Sequence, residues 1–336
     1  MLQQLKSRLG RLGFGGAGIG NLYRPIDDTT AHATLQTAVA AGVRYFDTAP
    51  HYGFGLSEKR LGMALRMLDP KNEVVVSTKV GRRLVAAGNV DLGTARQGFV
   101  SPEPFESTFD YSYDGVMRSF EGSLERLGRP IDILFVHDIG QRVHGAEHPA
   151  SFRQLLEGGY RALRELRDAR TVHAIGLGVN EWEICEQALQ HCDLDVVLLA
   201  GRYTLLEQDA LESFLPLCET RGVAVIVGAP YNSGILVNGS RAAGAHYDYG
   251  AVPPQVLTSV AAIEEVCARY HVPLASAALQ FPVAHPQVVA VIPGMSTPVE
   301  VAEAAEWLAH PIPSALWSEL RDRNLIRTDA PLPRAA

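Results

Sequence analysis

The chain has 336 residues, 47% of them hydrophobic and 20% charged, and a formal net charge of −7. That length accommodates two domains or one large barrel, and the composition fits a soluble globular enzyme rather than a disordered chain. The modest negative charge is spread out and leaves no basic footprint for nonspecific nucleic-acid binding.

The N-terminal stretch MLQQLKSR lacks the apolar run of a signal peptide. No segment approaches the roughly 20 apolar residues of a membrane span. The four cysteines, Cys185, Cys192, Cys218 and Cys267, form no CxxC pair. A reducing, cytoplasmic setting without disulfides is therefore expected. Cys185, His191 and Cys192 make a poor metal site, because two are adjacent and a fourth ligand is missing, so no metal is expected.

Along the chain, short β-branched runs alternate with longer amphipathic segments. A Gly-rich run at 12–18 is the first candidate strand. Further strands are expected at 43–47, 74–79, 131–137, 172–179, 195–199, 223–228 and 288–293. Several are almost continuously apolar, as parallel strands covered on both faces must be. Between them, helical stripes recur: Leu35 and Val39 after a cap at Asp28 or Thr29, then Val116, Phe120, Leu124 and Leu127 before the stop at Gly128. Later stripes are Leu156, Tyr160, Leu163 and Leu166; Val260, Ile263, Val266 and Tyr270; and Val301, Ala304, Ala305 and Leu308. Strict β-then-α alternation implies a parallel sheet. Eight units favour an α/β fold of the closed (β/α)₈ TIM-barrel type, and no linker divides residues 1–336 into domains. Three stretches exceed ordinary loop length, 81–113, 138–150 and 230–254. Each follows a candidate strand, which places all three on the C-terminal face.

In such a barrel the chemistry sits at the C-terminal strand ends. Here the second strand runs into Asp47, with Tyr52 five residues on; the third runs into Lys79; the fourth into His137 and Asp138; the fifth into Asn180. Singly, each has a plain explanation: an Asp after a strand caps helices, a rim Lys is solvated, a buried His is a satisfied core group. Together at successive strand ends they form a candidate site. A phenol with a pKa near ~10 is a poor proton-transfer group at neutral pH, and a neighbouring ammonium favours its ionised form. Asp47 would keep Lys79 charged, and His137 would position the reacting oxygen. No nucleophile accompanies them, so hydride or proton transfer fits better than covalent catalysis.

These residues carry a resemblance. FDTAPHYGFGLSE (46–58), STKVG (77–81), DILFVHD (132–138) and IPG (292–294) are similar to segments of the aldo-keto reductase superfamily, in the same order. The resemblance implies that Asp47, Tyr52, Lys79 and His137 match the catalytic tetrad of that family. LAGRYTLLEQ (199–208) and GAPYNSG (228–234) resemble its sugar 1-dehydrogenase branch, the D-threo-aldose and L-fucose dehydrogenases. The activity implied is oxidation of the anomeric hydroxyl of an aldose, of the L-fucose, L-galactose or D-arabinose type, to a lactone with NAD(P)⁺. Pyridoxal dehydrogenation and general NAD(P)H-dependent aldehyde or ketone reduction are the alternatives on this scaffold. A noncatalytic, nucleotide-sensing barrel is the alternative of another class. The usual Ser-Asn pair after the fifth strand is here Val179 and Asn180, so Asn180 alone carries over as a carboxamide ligand. The usual Gln of the sixth strand is replaced by Ala200, and Tyr203 matches the aromatic that stacks on nicotinamide.

Cofactor phosphates in such barrels bind at the loops after the seventh and eighth strands. Ala229, Tyr231, Ser233 and Gly234 in the first loop, with Gly294 and Ser296 in the second, are the candidate binders. Residues 294–304 contain no Lys or Arg, and Glu300 and Glu303 are their only charges. Glu300 falls where relatives place an arginine for the 2′-phosphate, which implies NAD over NADP. GFGGAG at 13–18 spells a dinucleotide fingerprint, but no helix opens directly after it, as that motif requires. It reads as a barrel strand. His51 and Asp138 are candidate substrate contacts, and a small sugar or aldehyde is the expected partner.

Overall fold

The computed structural model describes residues 2–88, 91, 93–242, 246–248 and 250–333. Eight parallel strands follow one another in chain order around a barrel: Phe14–Gly15, Tyr45–Asp47, Val75–Val80, Ile133–His137, Ala174–Val179, Val196–Ala200, Ala224–Gly228 and Val288–Ile292. The ring closes where Gly13 N donates to Val291 O and Gly15 N to Pro293 O, both at 2.9 Å, with parallel bridges Leu12–Val291 and Gly15–Gly294. The expected strands are all present; the first shrinks from 12–18 to two residues, the third and sixth shift one residue onward, and the others lose a residue or two at one end.

Alternation along the strands divides the core into two layers. Tyr45, Val75, Ile133, Phe135, Val196, Leu198, Ile226 and Ile292 fill the barrel interior. Phe46, Val76, Leu134, Val136, Val197 and Val225 point outward and pack under the helices. A helix absent from the sequence expectation, Leu2–Leu9, presses Leu5 and Leu9 into the interior layer and so plugs one end of the barrel. The opposite end stays open for chemistry.

Local signals set the helix ends. Asp27, one residue ahead of the expected cap, accepts from Thr30 N at 2.7 Å and starts Asp28–Ala40. Ser112 caps Tyr113–Leu127, which ends at Gly128 in the left-handed region. The three long loops carry structure of their own. In the first, Arg82–Ala86 pairs antiparallel with Phe105–Phe109. The second folds into short helices, including Gln141–His144 and His148–Gln154. The third contains a small ladder, His246–Tyr247 with Gly250–Ala251. Its Asp248 forms an ion pair with Arg142 and a 2.8 Å one with Arg202, and His246 stacks on Tyr23 at 6.1 Å. The long loops thus meet over the open end. Among the described residues, no helix is long and apolar enough to cross a membrane.

Candidate active site

The ends of the second and third strands lie side by side, Asp47 in register with Ser77. Lys79 Nζ therefore reaches Asp47 Oδ2 at 2.7 Å and Thr48 O at 2.9 Å, while Ser77 Oγ donates to Asp47 Oδ1 at 2.7 Å. Tyr45, inside the barrel, extends this chain through a 2.8 Å hydrogen bond between its hydroxyl and Ser77 Oγ. The Lys79 side chain is 1% exposed and that of Asp47 2%. Such an ion pair, out of water, holds only where each charge is closely matched. Room for the lysine comes from Gly178, where a Cβ would stand 3.2 Å from Lys79 Cε.

Tyr52 follows in the turn after the second strand. Lys79 Nζ lies 4.7 Å from the centre of its ring, and the His137 ring stands edge-on to it at 6.0 Å. Burial alone would lower the Lys79 pKa; the charges of Asp47 and then Tyr52, with hydrogen bonds to both, outweigh burial and raise it. The lysine stays an ammonium. Burial, with Arg82, Lys79 and His51 nearby, pushes His137 well below its ordinary value. Burial, then Arg82 and Lys79, push His51 down to about 3. Both rings are neutral, and Nδ1 of each lacks a hydrogen-bond partner among the described residues.

Tyr52 stands where two lobes of one cleft meet, for it lines both. The first, about 500 Å³, is walled by Gly15 to Gly18, Asp47, Ala229, Tyr231, Ser233, Gly234, Gly294, Ser296, Glu300, Glu303 and Trp307. The second, about 510 Å³, is walled by His51, Lys79, Arg82, Phe99, His137, Asp138, Arg142, Asn180 and Glu181. The four expected catalytic and two expected substrate residues fall around one lobe or the other, and eight of the ten expected cofactor residues line the first. Asn180 is a ninth, but on the second lobe, with its carbonyl accepting from Arg202 Nε at 2.9 Å.

Tyr203 is the correction. Rather than stacking in the cleft it is fully buried, 5.7 Å from the Phe281 ring and 5.5 Å from His285. Its place in the chain sits just beyond the sixth strand, where the backbone turns outward under the helices; Ala200, at the strand's end, lines both lobes instead.

The first lobe has the makings of a cradle for a phosphate-bearing cofactor. Ala229, Asn232, Ser233 and Gly234 all have positive φ, between 45° and 92°, and the loop coils tightly, with Asn232 N donating to Ala229 O and Gly234 N to Tyr231 O, so that its small residues wall the lobe. The buried Tyr231 hydroxyl lacks a partner among the described residues. At the start of the helix Pro298–Ala309 the N–H groups of Ser296, Thr297 and Glu300 are already taken. Glu300 Oε2 accepts from Ser296 N at 2.6 Å and Thr297 N at 3.2 Å, and Thr297 Oγ1 accepts from Glu300 N at 3.3 Å. This capping box fills the positive helix end with the chain's own carboxylate. Arg24, from the loop after the first strand, closes an ion pair on that carboxylate and donates to Ser296 Oγ at 2.6 Å.

Three contributors escaped the sequence reading. Arg24 is remote from 294–304 and arrives only through barrel closure. Arg82 sits inside a long loop without a motif, yet its Nη1 lies 3.1 Å from Asp138 Oδ2. Tyr111, 1% exposed, donates to His137 O at 2.8 Å and Asp138 O at 3.2 Å, and so fixes the turn after the fourth strand. A tyrosine just before a helix cap carries no signal of that role.

A family model described as the aldo/keto reductase family matches residues 11–324. The chain is 42% identical over 324 residues to pyridoxal 4-dehydrogenase of Microbacterium luteolum, covering 94% of each chain. It is 38% identical over 321 residues to D-threo-aldose 1-dehydrogenase of a Pseudomonas species, again covering 94% of each. It is 29% identical to L-galactose dehydrogenase of Arabidopsis thaliana, covering 88% of this chain and 83% of that one. Among solved structures, an aldo-keto reductase from Bacillus halodurans superposes with a TM-score of 0.71 at 21% identity, covering 95% of this chain and 93% of the other. That likeness concerns the fold.

Proposed function

The chain belongs to the aldo/keto reductase family of oxidoreductases, and from that premise we propose that it is an NAD-dependent aldose 1-dehydrogenase, oxidising the anomeric hydroxyl of a cyclic sugar to a lactone. The observation that carries this reading is the second lobe, where the Tyr52 and His137 rings are joined by Asp138, Arg82, Asn180 and Glu181. Hydroxyl-rich substrates need such donors and acceptors, whereas hydrophobic aldehydes leave them dehydrated.

In the proposed reaction Tyr52 removes the proton of the anomeric hydroxyl. Lys79, held as an ammonium by Asp47, favours the phenolate that does so. His137, neutral and with a free ring nitrogen, hydrogen-bonds the same oxygen and holds it against Tyr52. The first lobe would hold the nicotinamide cofactor, which when bound would accept the hydride. In that lobe the loop at 229–234 would receive phosphate and Glu303 would face a ribose hydroxyl, while the Glu300 carboxylate, engaged with Arg24, would keep that cation from a 2′-phosphate.

A second reading is favoured by the 42% identity to a pyridoxal 4-dehydrogenase. Pyridoxal, like an aldose, carries a hydroxyl able to close onto its own aldehyde, so the same proton and hydride transfer would serve. The test is initial-rate absorbance with NAD⁺ and NADP⁺ against L-fucose, L-galactose, D-arabinose, pyridoxal and simple aldehydes. Fastest turnover of an aldose with NAD⁺ supports the proposal. Preference for pyridoxal replaces it with the second reading, and cofactor binding without turnover of anything makes the barrel a nucleotide sensor.

A further inference from the structure

Among the polar groups of the second lobe, one charged pair takes no part in the proton transfer itself. Arg82 and Asp138 have side chains only 15% and 16% exposed and lie 3.1 Å apart. One tyrosine aims both into the lobe. The ring of Tyr111 packs so closely under Gly81 that a Cβ there would stand 2.3 Å from Cε1, and Gly81 has φ +92°. The third strand can therefore leave the barrel tight against that ring, with Arg82 next. The hydroxyl of the same ring holds the carbonyls of His137 and Asp138, and Asp138 takes φ +51°. A non-glycine residue in that region carries strain, which tends to persist where a side chain must be aimed.

We propose that the Arg82–Asp138 pair is the substrate-specificity element of this site, reading the hydroxyl on the carbon next to the reacting one; the inference rests on the oxidoreductase reading of the cleft. Position comes first. Asp138 Oδ2 lies 3.5 Å from His137 Nε2, and the His137 ring is 6.0 Å from that of Tyr52. A substrate whose reacting oxygen sits between Tyr52 and His137 brings its neighbouring carbon within reach of the pair. Chemistry comes second. The carboxylate only accepts and the guanidinium only donates, so together they match a hydroxyl, which does both. Vacancy comes third. Arg82 Nε is buried without a partner among the described residues, although the guanidinium is fixed over the Phe109 ring at 4.8 Å. A pair serving stability alone gains nothing from a buried N–H left unmatched.

The test compares two substrate pairs differing by that hydroxyl: an aldose against its 2-deoxy form in oxidation, and glyceraldehyde against propanal in reduction. The wild-type protein should prefer the hydroxylated member by about 100-fold in kcat/KM. In Asp138→Asn and in Arg82→Lys, tested separately so that a fold defect in one leaves the other, that ratio should collapse to within about threefold. Cofactor titration by fluorescence confirms folding of each variant. Absence of a wild-type preference, or equal slowing of both members in the variants, overturns the inference. Failure to oxidise any aldose overturns the proposed activity instead, while glyceraldehyde and propanal still read the pair.

Discussion

Arg24 and Glu300, 276 residues apart in the chain, meet as an ion pair at the cofactor end of the cleft. Residues 294–304 contain no arginine to meet a 2′-phosphate, but the fold supplies one from elsewhere. The carboxylate now has two tasks: it caps a helix and occupies Arg24. Removing its charge while keeping the cap separates them. In Glu300→Gln the amide can still serve the capping box, and Arg24 is released toward a 2′-phosphate. Specificity for NADP⁺, measured as the kcat/KM ratio of the two cofactors, should shift by about tenfold. Adding Arg24→Ala should reverse the shift. An unchanged ratio in the single variant would place discrimination outside this pair. Stability should hardly move, since partners 54% and 36% exposed contribute about 0–1 kcal/mol.

Tyr52 and Lys79 are expected to fail in different ways. Tyr52→Phe removes only the proton-transfer oxygen, so kcat should fall by roughly 10³-fold with cofactor affinity unchanged, as followed by fluorescence titration. Asp47→Asn leaves every proton-transfer atom but strips Lys79 of its main source of raised pKa. Burial then pulls the ammonium down against Tyr52 alone. Activity that depends on the charged lysine should therefore be lost at lower pH than in the wild type. A pH–kcat profile whose alkaline limb stays put in Asp47→Asn would rule out this electrostatic role.

Asp47, Tyr52, Lys79 and His137 were legible in the sequence because a βα alternation sends every strand end to the same rim, so residues far apart in number share an address. Ala229, Ser233 and Gly294 were legible for the same reason. What escaped depends on how loops fold back. Arg24 meets Glu300 only because the first strand closes on the eighth. Arg82 meets Asp138 only because Tyr111 wedges between their backbones. Tyr203 looked like a rim residue by its distance from the sixth strand, but one turn of backbone sends it under the helices. The helix Leu2–Leu9 is only eight residues long, and Leu5 and Leu9, which it aims at the barrel, make too short a stripe to stand out.

The buried histidines set an acid limit on stability. His51 is held down to about 3, first by burial and then by Arg82 and Lys79, and burial with the same cations also holds His137 well below its ordinary value. In the unfolded chain both titrate near their ordinary value of ~6.5. The unfolded state therefore binds protons first as pH falls, and stability present above pH ~6.5 is lost progressively below it. Each histidine contributes a slope of roughly 1.4 kcal/mol per pH unit. Thermal unfolding between pH 7.5 and 5 should show a falling Tm, and His51→Asn should flatten the fall. A Tm that is level across that range would contradict neutral burial of these rings.

Behind the third strand lies a pair whose task is different. Glu58 is fully buried; its Oε2 accepts from Arg126 Nε and its Oε1 from Thr78 Oγ1, each at 2.6 Å. Thr78 stands between Ser77 and Lys79, and strand alternation points it away from the cleft toward the helices. The pair ties Leu56–Leu68 and Tyr113–Leu127 to the strand that carries the lysine. Truncation in Glu58→Ala leaves a guanidinium 16% exposed and without its partner, at a cost of about 3 kcal/mol or more. Tm should fall by several degrees. Because Glu58 touches neither lobe, KM at a temperature where the variant is folded should stay within twofold of the wild type. A large rise in KM without loss of Tm would mean that the pair shapes the cleft rather than the fold. Thr78→Val, which removes one neutral donor and keeps the ion pair, should show the same pattern at about 1 kcal/mol.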